Sequence, residues 1–334
     1  MSYLIHSSSC LSMDNYNRSL ISIQTNSKTE KRHQSKAMHT FFVLILVTIL
    51  ARHGYTQVLP QPGVCGIPLI KPKSTTRIVN GEAAIPHSRP YQLLLVGFFP
   101  NGTAKAYCGA SLITTKHVLT AAHCVAGYNA QDLRIFPGLH NFTSYVLNPQ
   151  NGIPVQKFVS HESYNAGRLT SDVAIIRLAR ELVVDNHQIG LICLPEEKAA
   201  ACGVGHPVVA SGWGATTGDP NRPSNSRPVE LQQVDLQCVD ANSNAGCKSL
   251  TYLLNIIREP SKMCAYNPGK SVCFGDSGGP LVREKTHPDG RKYFEQVGIM
   301  SGTKDCSFTG PYPDIYADVI YFMSWITKQV QASP

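Results

Sequence analysis

Cysteine placement constrains this chain more than any other feature. Of eleven cysteines in 334 residues, ten lie beyond the only long apolar run, "FFVLILVTILA" at residues 41–51. An even set in an exported chain argues for five disulfides, which would tie segments far apart in sequence. Cys10 is the odd one and lies upstream of the run. No CxxC pair or Cys/His cluster has the spacing of a zinc site, and no metal or other cofactor is expected.

The apolar run is too short to span a bilayer comfortably and follows Lys31, Arg32 and Lys36. It reads as the core of a signal peptide over 38–54, with a signal anchor as the alternative. Met38 stands directly before it and marks an alternative start, which leaves 1–37 as an N-terminal extension. The formal charge of +8 is concentrated early. Residues 1–37 carry +3 and residues 38–77 carry +4, so the part from Ile78 onward carries only +1. Charge therefore gives no reason to expect a nucleic-acid or membrane partner. The chain is 43% hydrophobic, enough for a sizeable core, and its 26 glycines and 22 prolines are scattered. That pattern suits many short strands joined by turns.

Three short motifs carry chemistry. "LTAAHC" places His123 beside Cys124, "SDVAIIRL" places Asp172 before an apolar strand, and "GDSGGP" places Ser277 between glycines. Taken with "RIVNG" at 77–81, "CGASLI" at 108–113, "CLP" at 193–195, "SGWG" at 211–214 and "VGIMS" at 297–301, they resemble the chymotrypsin/trypsin family of serine endopeptidases. The resemblance runs from Arg77 to about Val330. It implies an all-β fold of two antiparallel six-stranded barrels, with the site in the cleft between them and a C-terminal helix. That helix is also legible from spacing, because Val319, Phe322, Met323, Ile326 and Val330 fall on one helical face.

The resemblance further implies a serine nucleophile, Ser277, made reactive by a neighbouring base. His123 would take the proton and pass it to the leaving amine, and Asp172 would fix the imidazole. Ser301 matches the family serine that binds this aspartate. The backbone N–H groups of Gly275 and Ser277 would form the oxyanion hole. Arg77 matches an activation site for a trypsin-like protease. The new N-terminus at Ile78 would pair with Asp276, since a buried carboxylate needs a partner. Residues 55–77 would then be a propeptide or light chain and 78–334 the protease domain.

By the same resemblance, Cys65–Cys193 would tether the propeptide and Cys108–Cys124 would clamp the histidine loop. Cys247–Cys264 and Cys273–Cys306 would brace loops around the substrate pocket. A common family bridge has no counterpart, since Val208 and Arg283 stand at its positions. Cys202 and Cys238 remain, and a bridge across the first hairpin of the second barrel is expected. Between Leu139 and Val155 there is no Asp or Glu to hold calcium. Asn101 and Asn141 lie in glycosylation sequons.

Ser271 falls where trypsins place an aspartate at the pocket base, which favours apolar side chains. Ser301-Gly302-Thr303 lacks the usual tryptophan wall and sets a branched Thr303 at the mouth, as elastases do. Phe274 falls at the rim. Asp314 falls where a glycine usually lines the pocket, with two extra residues between Cys306 and Tyr316. An inward carboxylate would accept Arg or Lys, or would bind water and weaken apolar binding, whereas an outward one would be a surface charge. The expected protein is a secreted, extracellular zymogen with chymotrypsin- or elastase-like preference. Trypsin-like preference through Asp314 and a non-catalytic binding homologue are the alternatives. Expected partners are protein or peptide substrates, an activating protease and protein inhibitors. The chain is expected to be a monomer, split on activation into two disulfide-linked chains.

Overall fold

The computed structural model describes residues 59–73, 81–142, 147–196, 199, 202–216, 227–239, 260–304, 306 and 312–332. The chain divides into Met1–Thr56 and Gln57–Pro334, and every described residue belongs to the second unit. The signal-peptide region, Cys10, Arg77, Ile78 and Cys247 lie outside the described residues. Among the described residues, no helix is long and apolar enough to cross a membrane.

Among the described residues there are thirteen strands and one α-helix. After the short β1 (Glu82–Ala83) come β2 (Gln92–Phe98), β3 (Ala104–Leu112), β4 (His117–Thr120), β5 (Leu133–Pro137), β6 (Ile153–Ser160) and β7 (Ala174–Leu178). Strands β2 to β7 close a barrel in the order β2-β3-β4-β7-β6-β5. Strand β2, "QLLLVGF", is buried at every position because both of its faces are covered. Leu93 and Leu95 join the large core with Leu112, Leu119 and Ile135. Leu94, Val96 and Phe98 point the other way and pack with Phe136, Trp213 and Leu231. Alternation of side chains along a strand explains how one apolar run serves two clusters.

The second barrel contains β8 (Pro207–Gly212), β9 (Gln232–Val239), β10 (Lys262–Tyr266), β11 (Pro280–Thr286), β12 (Lys292–Gly302) and β13 (Asp314–Asp318). These pair in the order β9-β10-β13-β12-β11-β8, β8 closes back on β9, and β1 adds to β9. Val208, Ala210, Val234, Leu236, Leu281, Val297 and Tyr316 fill its interior. The two six-stranded barrels and the helix are the fold that the motifs imply. Helix α1 (Val319–Gln331) buries Val319, Phe322, Met323, Ile326 and Val330. Asp318 caps it, its carboxylate accepting from the Ile320 and Tyr321 N–H groups.

Disulfides join Cys65–Cys193, Cys108–Cys124, Cys202–Cys238 and Cys273–Cys306. Cys264 is also disulfide-bonded, while its expected partner Cys247 is outside the described residues. At the place of the missing family bridge, Val208 packs in the core. Arg283 there donates through Nε to Glu295 at 2.8 Å, and Lys285 pairs with the same buried carboxylate at 3.3 Å. An ion pair on the β11–β12 hairpin thus occupies the site of a covalent link.

Candidate active site

Strand register brings the first two motif residues together. Strands β4 and β7 pair antiparallel with Thr120 opposite Ala174. The chain just past β4 therefore meets the chain just before β7. His123 sits in the 3-10 turn Ala122–Cys124 that follows β4, and Asp172 sits two residues ahead of Ala174. Asp172 Oδ1 accepts from the His123 backbone N–H at 2.9 Å. Its Oδ2 is 2.7 Å from His123 Nδ1. A carboxylate can only accept, so Nδ1 carries the proton and Nε2 is left as the basic nitrogen.

Ser301 completes the cradle. Strands β12 and β13 pair Met300 with Tyr316 and then Gly302 with Ile315, which leaves Ser301 as the extra residue of a β-bulge. A bulge re-aims its side chain, and here the Ser301 hydroxyl donates to Asp172 Oδ2 at 2.6 Å. Asp172 is 1% exposed, so water does not compete for it.

The Ser277 loop is pinned from both barrels. The Gly109 N–H of β3 donates to the Ser277 carbonyl at 2.7 Å, and the Gly278 N–H donates to the Met300 carbonyl at 2.8 Å. Gly278 has φ +77°, and a Cβ there would lie 2.3 Å from Thr120 Oγ1 and 3.1 Å from Cys124 Sγ. The residue after Ser277 thus abuts the residue after His123. Gly275, at φ +106°, takes a backbone conformation that suits glycine alone.

Asp276 retains some exposed surface as a residue, but its carboxyl group is enclosed. It accepts from the Gly214 N–H at 2.7 Å and the Cys273 N–H at 2.9 Å. Burial raises its pKa, opposed by those two donors and by the charge of Arg227. It forms part of the wall of a small cavity of about 40 Å³, shared with Gly81, Gly212, Gln233 and Ser271.

At the pocket, Asp314 turns inward and is 1% exposed. Its Oδ1 accepts from Ser271 Oγ at 2.7 Å and its Oδ2 from the Val272 N–H at 3.2 Å. Thr303 also hydrogen-bonds it, and burial pushes its pKa up to about 7. Of the two orientations open from sequence, the surface charge is excluded. Strand β13 fixes this, since Asp314 pairs with Ala265 and Tyr316 with Met263 on β10. Phe274 is 61% exposed beside the cleft. Asn101 and Asn141, the sequon residues, are both exposed. Cys108, His123 and Cys124 bring potential ligand atoms within 4.8 Å, but the two sulfurs are bonded to each other and offer no thiolate.

Three residues near the cleft carry no sequence signal. Leu169, at φ +49°, sits 3.5 Å from where a Cβ on Gly302 would lie. Arg227 rests against the Tyr107 ring and beside Gly275, and Lys105 rests against the Tyr128 ring. None lies in a motif, and only the folded chain brings them to the site.

Two closed barrels, with His123 bonded to Asp172 and the Ser277 loop packed against the turn that carries His123, have the architecture of a serine peptidase. A sequence profile described as Trypsin matches residues 78–326, and the chain belongs to this family of serine endopeptidases. It is 34% identical over 257 residues to trypsin alpha-4 of Lucilia cuprina, covering 77% of this chain and 89% of that protein. It is 31% identical over 288 residues to chymotrypsin-C of Rattus norvegicus, covering 85% and 98%. A chymotrypsin of Phaedon cochleariae is 29% identical over 289 residues, covering 84% and 92%.

Proposed function

We propose that this serine endopeptidase is a secreted zymogen activated by cleavage after Arg77, with Ser277, His123 and Asp172 as its catalytic residues. The observation that carries the mechanism is the polar chain Ser301–Asp172–His123, which fixes the ring through Nδ1 and keeps Nε2 free of that carboxylate. His123 Nε2 takes the Ser277 hydroxyl proton as Oγ attacks the peptide carbonyl. The Gly275 and Ser277 N–H groups hold the oxyanion, each donor being worth about 100–1000-fold in rate. His123 then protonates the leaving amine, and water reverses the sequence to release the acyl group.

Activation follows from the needs of Asp276. A carboxylate enclosed this deeply is costly unless paired with a cation. Gly81, three residues after Ile78, lines the same cavity as Asp276. That supports the new Ile78 ammonium as the partner that orders the oxyanion loop. Cys65–Cys193 keeps residues before the cut attached. Disulfides and the apolar run support secretion, and exposure supports glycosylation at Asn101 and Asn141.

For the residue before the cut, Ser271 and Thr303 support small or apolar side chains while Asp314 is protonated. The inward carboxyl of Asp314 favours a second reading, acceptance of Lys or Arg once it ionises. Peptide-library cleavage by Arg77-cleaved enzyme at about pH 6 and about pH 8.5 tests both. Apolar preference at the lower pH, with basic residues gaining at the higher, is expected. Preference for Lys or Arg at both values would overturn the first reading.

A further inference from the structure

We propose that a cavity between residues 67–73 and the outer face of the second barrel binds an amphipathic organic acid of the N-acyl amino acid class. Its volume is about 850 Å³, and none of Ser277, His123 and Asp172 lines it. A space of this order, with apolar walls and a few convergent polar groups, is what a small-molecule site requires.

Register builds the wall. Val209 on β8 pairs with Asp235 on β9 and with Val282 on β11. Residues paired across strands share one face of a sheet. Their sequence neighbours Val208, Val234, Leu236 and Leu281 fill the barrel interior. By alternation, Asp235, Val209 and Val282 form one row on the outside of the barrel. Phe294 and Ile67 extend the apolar part of that row and pack in the same core as Val209 and Val282. The covering segment is held at its start by Cys65–Cys193 and by the Phe294 N–H, which donates to the Gly66 carbonyl at 2.8 Å.

Two charged groups at the Asp235 end lack the partners that burial demands. The Lys270 side chain is 9% exposed, yet among the described residues its ammonium makes one ion contact, at 3.9 Å to Asp235 Oδ2. Asp235 Oδ1 is buried and, among the described residues, accepts no hydrogen bond. Burying charge with so little pairing is costly. A ligand that brings an anion to Lys270 and an N–H to Asp235 relieves both. The remaining charges set the sign. Lys73, Arg291 and Lys292 are paired with Glu82, Asp289 and Glu284. Arg89 is bonded to the uncharged Gln233 and Tyr91, and Lys71 forms no ion pair among the described residues. Arg89, Lys71 and Lys270 thus outnumber Asp235, and the cavity favours an anion. In an N-acyl amino acid one carbon separates the N–H from the carboxylate. That compact pair faces the Asp235–Lys270 pair, and the acyl chain follows the Val209–Val282 row.

The test is isothermal titration calorimetry of the full chain with N-octanoyl-leucine, its methyl ester and its N-methyl analogue. The acid is expected to bind with a Kd of about 100 µM, ordinary for a ligand of this size. The ester, which cannot pair with Lys270, should bind at least about tenfold more weakly. The N-methyl analogue, which cannot donate to Asp235, should bind about three- to tenfold more weakly. These comparisons use the wild-type protein alone, so they do not depend on a variant folding. Lys270→Met should bring the acid and ester to nearly equal affinity, and Lys270→Arg should keep part of the difference. The ratio is taken within each variant, so a lower folded fraction cancels. No binding of the acid up to about 1 mM, equal binding of acid and ester by the wild type, or an acid/ester ratio that Lys270→Met leaves unchanged would overturn the proposal.

Discussion

Asp172 Oδ2 receives both the His123 Nδ1–H and the Ser301 hydroxyl, at 2.7 and 2.6 Å. Asp172→Asn replaces that acceptor with an amide that can present an N–H to the ring and force the other tautomer. The loss of kcat should be about 10⁴-fold, a magnitude carried over from the family's triad chemistry. Thermal unfolding measured alongside separates this from misfolding. Asp314 invites a different prediction. Its folded pKa of about 7 stands above the ordinary 3.8, so the native state holds the proton more tightly than the unfolded chain. Its contribution to stability is full below about pH 4 and is lost as pH rises through about 7. Asp314→Asn should therefore stabilise the protein at about pH 8, by about 1–3 kcal/mol in urea unfolding, and do little near pH 4. The residues proposed as catalytic were legible because each sits inside a motif. The orientation of Asp314 was not, because it depends on the register of β13 across two extra residues.

At the level of elements, the site is a product of strand register. Thr120 opposite Ala174 sets His123 against Asp172, and the bulge at Ser301 turns a strand residue toward the same carboxylate. The helix and the number of barrels could be read from apolar spacing and family motifs. The bulge at Ser301 could not, since a bulge is a mismatch between partners that one strand's sequence does not reveal. Gly278 tests how tightly the elements meet. A Cβ there would clash with Thr120 Oγ1 at 2.3 Å and the Gly109 carbonyl at 2.5 Å, at a φ that L residues avoid. Gly278→Ala should lower stability by at least about 2 kcal/mol and depress activity with it, as measured by urea unfolding and peptide hydrolysis.

Across the whole molecule, one long-range covalent link joins parts that the proposed activation would otherwise separate. Cys65 and Cys193 are 128 residues apart, and both are fully buried. In Cys65→Ser, cleavage after Arg77 should release the N-terminal fragment on a non-reducing gel, where the wild-type fragment stays attached. The same change should cost about 2–4 kcal/mol of stability before cleavage. The central claim is that Ser277 becomes a nucleophile once Arg77 is cut and Ile78 can pair with Asp276. Its most direct measurement is covalent labelling by a serine-directed fluorophosphonate before and after that cleavage. The account predicts about one label per cleaved chain, located on Ser277, with little on the uncleaved chain and none on Ser277→Ala. Cleaved protein that takes no label, or uncleaved protein labelled equally fast, would contradict it.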